Sequence, residues 1–431
     1  MNETKKIAFH TLGCKLNFSE TSTISRGMSF ENYEIVDFKE RSDIYVINTC
    51  SVTENAEKKC ISSIKQANRR NPEAIIAVIG CFSELKQSEV LNIEGVDIVL
   101  GSNEKFNLSS EIENFLKVEN NSQAITSIKN NKFFIPSHSS GDRTRSFLKI
   151  QDGCDYYCAY CTIPFARGAS RSATIADTVK TAKEIAATGM NEIVLTGINI
   201  GDFGRKNNET FLDLLKELDK ITEIPRIRIS SIEPDLLTDE IIELVANSKR
   251  FLPHFHISLQ SASNKVLESM NRKYTRELFD ERILKIKELI PNCCIATDVI
   301  VGYPSELKDD FLETLDYIED SVVSYVHVFT YSERKNTASS RILEKVSPEA
   351  KRTRSEKLHF LSDTKKAKFY EENIGQTYNV LFESDNIKGY MHGYTENYIK
   401  VKTKYNSSFI NKILPVTLVE VDKEGIFVIN L

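Results

Sequence analysis

The chain has 431 residues, a net charge of −5, nine cysteines and 41% apolar residues. That content supports packed cores, but no run reaches the ~20 apolar residues that a membrane span needs, and the N-terminus MNETKKIAFH lacks an apolar leader core. A cytoplasmic protein with no membrane partner is expected, and in that reducing compartment an odd cysteine count points to metal or redox chemistry instead of disulfides. The charge is uneven: residues 351–431 carry +3 and the remainder −8, so a basic tail follows an acidic body. That pattern is compatible with a nucleic-acid partner.

The first ~130 residues alternate strand and helix, as a parallel sheet with helices on its faces would. Strands are predicted at Lys6–Leu12, Asp43–Asn48, Ala74–Gly80 and Val96–Leu100, and helices at Phe18–Met28 and Glu54–Asn68. Cys14 follows IAFHTLG, Cys50 follows IYVINT and Cys81 follows IIAVIG, so each lies just past the carboxyl end of a strand. In an open parallel sheet those ends share one rim, where ligands bind. Three such thiols would converge there and hold an iron–sulfur cluster with one iron open. The alternative is ordinary packing, as expected for Cys60 within a helix and for Cys293 and Cys294 at the start of a later strand. Residues 102–142 contain NNSQ, KNN and SHSSGDR, a polar connection marking a domain boundary.

Next comes Cys154-Asp155-Tyr156-Tyr157-Cys158-Ala159-Tyr160-Cys161, with three thiols in eight residues. The spacing and the missing fourth ligand argue against zinc. Three thiolates hold three corners of a four-iron cube and leave one iron free for a small molecule. The stretch resembles the signature of radical S-adenosylmethionine (SAM) enzymes. The resemblance implies that SAM chelates the open iron and is cleaved by one electron to a 5′-deoxyadenosyl radical, with Tyr160 near the adenine.

Six strand–helix repeats follow between 147 and 334, with strands at Phe147–Gln151, Glu192–Thr196, Arg226–Ser230, His254–Leu259, Ile295–Val301 and Tyr325–Phe329. Helices at Thr174–Thr188 and Thr275–Leu289 lie between them. Six is too few for a complete eight-fold barrel and fits a partial (β/α)6 barrel. Polar clusters after the strands mark the mouth. There Gly197 would admit SAM close to the backbone, and Ser231, Glu233 and Gln260 would hydrogen-bond SAM or substrate. His254 and His256 are expected to satisfy core hydrogen bonds, and Asp298, inside an apolar strand, requires a partner. Arg167 and Arg171, just after the cluster loop, suit a phosphate or carboxylate; the alternative is surface ion pairs.

Ser347–Tyr370 reads as a basic helix, with Ser347 as N-cap and Pro348 in the first turn. The final ~60 residues read as β-structure, with strands at Tyr378–Phe382, Tyr398–Lys404 and Ile426–Ile429. Alternation would place Tyr398, Lys400, Lys402 and Lys404 on one face. Such a face suits an RNA backbone, or is an ordinary solvated strand.

Together TLGCKLN, INTCSVT, the CxxxCxxC loop with TIPFARG, and LPHFHISLQSASNKVLESMNRKY resemble the radical SAM methylthiotransferase family across nearly the whole chain. The terminal barrel resembles a TRAM module. TLGCKLNFSET and PFARGASRS look most like the branch acting on threonylcarbamoyladenosine beside the tRNA anticodon. That branch often continues RSR, whereas here Ser172 precedes Ala173. The resemblance implies an α/β multidomain protein: an N-terminal open parallel α/β domain (1–125), a radical SAM partial barrel (140–368) and a TRAM-like β-barrel (369–431). It implies two 4Fe-4S clusters, one on Cys14, Cys50 and Cys81 and one on Cys154, Cys158 and Cys161. It also implies SAM, and methylthio transfer to adenine C2 in a tRNA anticodon stem-loop, served by a reductant protein and a sulfur donor. In this picture Arg167 and Arg171 meet the threonyl carboxylate or a phosphate. Rival readings are methylthiolation of isopentenyladenosine or of a ribosomal-protein aspartate, or a non-catalytic iron–sulfur RNA-binding regulator.

Overall fold

A computed structural model describes residues 4–29, 33–117, 124–125, 133–141 and 144–429. Most of the predicted connection between 118 and 132, including NNSQ and KNN, lies outside the described residues. The chain divides into two compact units. The first comprises residues 1–142, 147–155 and 161–173; the second comprises 143–146, 156–160 and 174–431.

The first unit is built on a six-stranded parallel sheet. Its strands are β1 (Lys5–Thr11), β2 (Tyr33–Val36), β3 (Ile44–Thr49), β4 (Ile75–Gly80), β5 (Ile98–Leu100) and β6 (Ala124–Ile125), in the order β2-β1-β3-β4-β5-β6. Every residue of β3 is buried, as expected of a strand covered on both faces. Its side chains alternate. Tyr45 and Ile47 join Cys60, Ile64 and Ala67 of helix α2 (Glu54–Arg70) in one core. Ile44 and Val46 face the other core, with Ile24 and Met28 of helix α1 (Lys15–Ser29). The edge strand β2 and the short β6 escape the sequence reading because each exposes or shortens the apolar pattern that reveals the central strands.

The strand order reverses at β1, whose neighbours are β2 on one side and β3 on the other. In open α/β sheets the crevice at such a reversal, beyond the carboxyl ends of the strands, is where ligands bind. Cys14 and Cys50 leave the two strands that flank it.

In the second unit, Glu192–Thr196 pairs in parallel with Arg226–Ile229. Ser231–Ile232, His254–Gln260, Cys294–Val301 and Tyr325–Thr330 form a further parallel sheet. Helices return between them as a partial β/α barrel requires. Thr174, Thr210 and Thr275 cap three of these helices by accepting from the backbone N–H groups of Asp177, Asp213 and Leu278. Thr174 and Thr275, expected as first helical residues, are therefore caps. A 24-residue helix, Pro348–Glu371, follows, with Ser347 accepting from the Ala350 N–H at 3.1 Å. It leads into a six-stranded, mainly antiparallel sheet that curls into a half-barrel.

Barrel and terminal sheet share a buried ionic joint. Arg226 and Arg228 donate from Nε to Glu192 at 2.8 and 3.1 Å. Their remaining N–H groups reach backbone carbonyls of the terminal sheet: Asn379, Tyr394 and Thr395 from Arg226, and Glu396 from Arg228. Burial alone would raise the Glu192 pKa, but Arg228 and Arg226 outweigh it and bring the carboxyl from an ordinary 4.5 to about 2. Glu192→Gln strands two buried guanidiniums and is expected to lower unfolding stability by about 3–5 kcal/mol, read as a lower denaturant midpoint. Because the folded pKa is depressed, this carboxylate's contribution is complete above pH ~4.5 and lost as pH falls toward ~2. Over that window it amounts to about 3 kcal/mol. The wild-type chain should therefore lose more stability over that acid window than the variant does.

Candidate functional site

In the first unit the three strand-end thiols are brought together. Gly13, just after β1, has φ +100° and passes so close to Cys50 that an added Cβ would lie 2.7 Å from the Cys50 Cβ and 3.0 Å from its sulfur. Only glycine permits that approach. Gly80 (φ +101°) ends β4 and turns the chain into helix α3 (Cys81–Leu85); a Cβ there would meet the Asn48 side chain at 2.5 Å. Asn17 braces the turn, donating to the carbonyls of Leu12 at 2.8 Å and Thr49 at 3.1 Å. Burial pushes the Cys50 thiol up to about 12, and the neighbouring Cys14 and Cys81 add to that shift. Cys14 is exposed, while Cys50 and Cys81 are buried. Cys60 lies behind Cys50 as packing, its sulfur 3.5 Å from the Cys50 backbone nitrogen. Among the described residues, no three His, Cys, Asp or Glu side chains are gathered around a single-ion position. All nine cysteines are free, and a rim with one exposed and two recessed thiols fits a cube that keeps one corner open.

Beneath Cys81 lies a buried ionic network within the same unit. Arg167, 0% exposed, uses all five of its N–H groups. Nε donates to the Cys81 sulfur at 3.3 Å. Nη1 donates to Glu20 and Asp152, both at 3.0 Å. Nη2 donates to Asn17 at 2.8 Å and Glu20 at 3.0 Å. Arg171, 8% exposed, pairs with Asp152 at 2.8 Å and donates to the carbonyls of Arg167 and Ala169. The expectation that these arginines meet tRNA or a threonyl carboxylate is corrected here. Protein acceptors already occupy the fork of each guanidinium, and neither lies on the surface.

Cys154 and Cys161 belong to the first unit and Cys158 to the second. The Cys154 N–H donates to the Gly168 carbonyl at 3.1 Å, and Cys161 accepts from the Ile163 N–H at 3.4 Å. In the second unit the Ala159 N–H donates to Met270 at 2.9 Å, and the Ser339 N–H to Ala159 at 2.8 Å. These bonds hold Cys158 and Tyr160 beside Arg272. Its Nη1 lies 3.0 Å from the Cys158 sulfur and 3.4 Å from the Tyr160 hydroxyl. Its Nη2 pairs with Glu233, and its Nε donates to Tyr274 at 3.0 Å. Burial raises the Glu233 pKa to about 6 against the opposing pull of Arg272, with Asp235 and Asp298 adding to the rise. Gln260 ends its strand after a register shift, in left-handed backbone at φ +68°. Ser231 bonds His256 Nδ1 at 2.9 Å, and His256 Nε2 bonds Asp298 at 2.8 Å. The partner that Asp298 requires is thus His256. Gly197 follows the strand Glu192–Thr196 directly. The sequence reading did not assign roles to Arg272 and Tyr274; the signal for Arg272 was its place in the MNRKY motif.

The terminal lysine face differs from expectation. The strand runs Lys400–Lys404, and Tyr398 precedes it at φ +66°. Alternation therefore does not extend to Tyr398. Its ring stacks on Tyr394 and lies under the Arg228 guanidinium at 4.7 Å, so it belongs to the joint with the barrel. Lys400 and Lys404 do share the outer face with Lys402, but Lys402 is ion-paired with Asp422 and Glu424. Its charge is largely spent within the sheet.

A model of the "Uncharacterized protein family UPF0004" matches residues 6–101, and one of the "Radical SAM superfamily" matches residues 148–318. The chain is 37% identical to the threonylcarbamoyladenosine tRNA methylthiotransferase MtaB of Bacillus subtilis, over 98% of this chain and 96% of that protein. It is 31% identical to the tRNA-2-methylthio-N(6)-dimethylallyladenosine synthase of Alkaliphilus oremlandii, over 97% of this chain and 91% of that protein. Among solved structures, the radical SAM methyltransferase TsrM of Kitasatospora setae superposes with a TM-score of 0.55. It covers 78% of this chain and 74% of its own at 13% identity, a likeness of fold. No helix among the described residues is long and apolar enough to cross a membrane. The near-full-length relatives, with a radical SAM domain behind an N-terminal parallel sheet, show that the chain belongs to the radical SAM tRNA methylthiotransferase family.

Proposed function

We propose that this chain adds a methylthio group to C2 of threonylcarbamoyladenosine beside the tRNA anticodon, using two 4Fe-4S clusters and two molecules of SAM. The observation that carries the reading is a second thiol set, Cys14, Cys50 and Cys81, on adjacent parallel strands and additional to the CxxxCxxC loop. One set suffices to cleave SAM; a second gives sulfur a place to be held. When bound, the clusters and SAM supply the one-electron chemistry that an unactivated aromatic C–H bond demands, together with the group transferred.

The protein's part is positioning. Cys154, Cys158 and Cys161 would hold the SAM-binding cluster, and Cys14, Cys50 and Cys81 the other. Glu233, held by Arg272 beside Cys158, offers a carboxylate to the amino group of SAM. Tyr160, Gly197, Ser231 and Gln260 complete its surroundings. Lys400 and Lys404 remain for the tRNA backbone, with Lys402 a weaker contributor. A nucleotide of the anticodon loop can be splayed out to reach a recessed site. Residues 1–125, 140–368 and 369–431 would carry sulfur storage, SAM cleavage and tRNA holding in turn. A reductant protein and a sulfur donor would recharge the clusters.

The relatives named for threonylcarbamoyladenosine support that nucleoside over the dimethylallyl one. Nucleosides from tRNA of a strain lacking the gene test it. The methylthio form of threonylcarbamoyladenosine should vanish while the unthiolated form rises. Loss of the methylthio dimethylallyl form instead, or an unchanged profile, would overturn the assignment.

A further inference from the structure

The network beneath Cys81 is unbalanced in charge. Lys105, Lys149, Arg167 and Arg171 are four buried cations. The carboxylates ion-paired with them are Glu20, bound by Lys105, Lys149 and Arg167, and Asp152, bound by Lys149, Arg167 and Arg171. Although buried, both carboxyls are held well below the usual range by these cations. Glu84, near Lys105, adds little, because burial, with Glu104 beside it, pushes its carboxyl up to about 7. Charge withdrawn from water must be compensated nearby. Beyond the two carboxylates the acceptors include the neutral Asn17 side chain, two backbone carbonyls and one sulfur, that of Cys81, at which the Arg167 Nε–H is aimed at 3.3 Å. A four-iron cube held by three thiolates is an anion overall, and hydrogen bonds to its sulfurs together with neighbouring charge set its potential.

We infer that Arg167 is a positioning residue for the N-terminal cluster, aiming its Nε–H at the Cys81 sulfur and favouring the cluster's reduced, more negative state. Glu20 and Asp152 fix the guanidinium fork in the plane that points Nε at the sulfur. The two positive charges in excess of those carboxylates, spread over Lys105, Lys149, Arg167 and Arg171, supply cationic surroundings for the same anion. This inference rests on the two-cluster reading above.

The test uses the full-length chain with Cys154, Cys158 and Cys161 replaced by alanine, so that only the N-terminal cluster remains. R167Q and R167K are built in that background. Iron content, circular dichroism and an electron paramagnetic resonance redox titration with dithionite are then measured. R167Q should either lose most of its iron while keeping its fold or keep iron with a more negative midpoint potential. R167K, which keeps charge but not the Nε geometry, should retain iron with a smaller shift in the same direction. Iron and midpoint equal to the parent in R167Q would overturn the inference. Should R167Q fail to fold, an unmoved midpoint in R167K overturns it, and a displaced one supports it. A parent carrying no iron would remove the two-cluster reading itself, and this inference with it.

Discussion

Replacing Cys154, Cys158 and Cys161 together with alanine should halve the iron of the anaerobically reconstituted protein, from about eight atoms per chain to about four. The same variant should form no 5′-deoxyadenosine from SAM and dithionite. The reasoning is geometric. Cys14, Cys50 and Cys81 sit at the ends of β1, β3 and β4, and the braces of that rim are Gly13, Asn17 and Gly80. Removing the loop thiols leaves those braces intact, so the iron they hold should remain. Negligible residual iron would show that the strand-end thiols do not hold a cluster. Persistent 5′-deoxyadenosine would show that SAM is cleaved elsewhere. The wild-type chain separates enzyme from regulator in the same assay, since an iron–sulfur regulator would release no 5′-deoxyadenosine at all.

Gly13→Ala should produce the converse loss. A side chain there faces two penalties. Left-handed backbone costs an L-residue about 1–2 kcal/mol, and the new Cβ would overlap the Cys50 Cβ at 2.7 Å, an atom fixed to backbone that cannot swing aside. Relief requires the Cys14 turn and the Cys50 turn to part. About half of the iron should then be lost, with SAM cleavage retained and methylthiolation of tRNA abolished. Gly27→Ala, in helix α1 with nothing within 4 Å of its added Cβ, is the matched control and should keep both clusters. A Gly13→Ala chain with full iron and full product would show that the close approach is incidental.

The central strands were legible because parallel strands covered on both faces run apolar. IYVINT and IIAVIG announce β3 and β4 with no other information. The cluster thiols were legible for a related reason, since each falls at the end of such a run. What escaped is what sequence distance conceals. Arg167 finds its acceptors at Asn17, Glu20, Cys81 and Asp152, and no periodicity links residue 167 to residue 17. A guanidinium after a cluster loop reads as a ligand for substrate until its four partners are seen. Tyr398 failed for a local reason. Alternation was extrapolated through a residue whose left-handed backbone starts the strand two positions later. Lys402 does lie on the expected face, but the acidic residues that neutralise it, Asp422 and Glu424, come from a turn about 20 residues downstream.

Arg226 and Arg228 grip the terminal sheet by peptide oxygens at Asn379, Tyr394, Thr395 and Glu396. Every amino acid presents that same oxygen, so the grip is blind to which side chains those positions carry. The module can therefore drift in sequence, and adapt its outer face to a different nucleic-acid contour, without loosening from the catalytic body. Substitutions should accumulate more freely at those four positions than at Arg226 and Arg228, or at Tyr398, whose ring lies under Arg228.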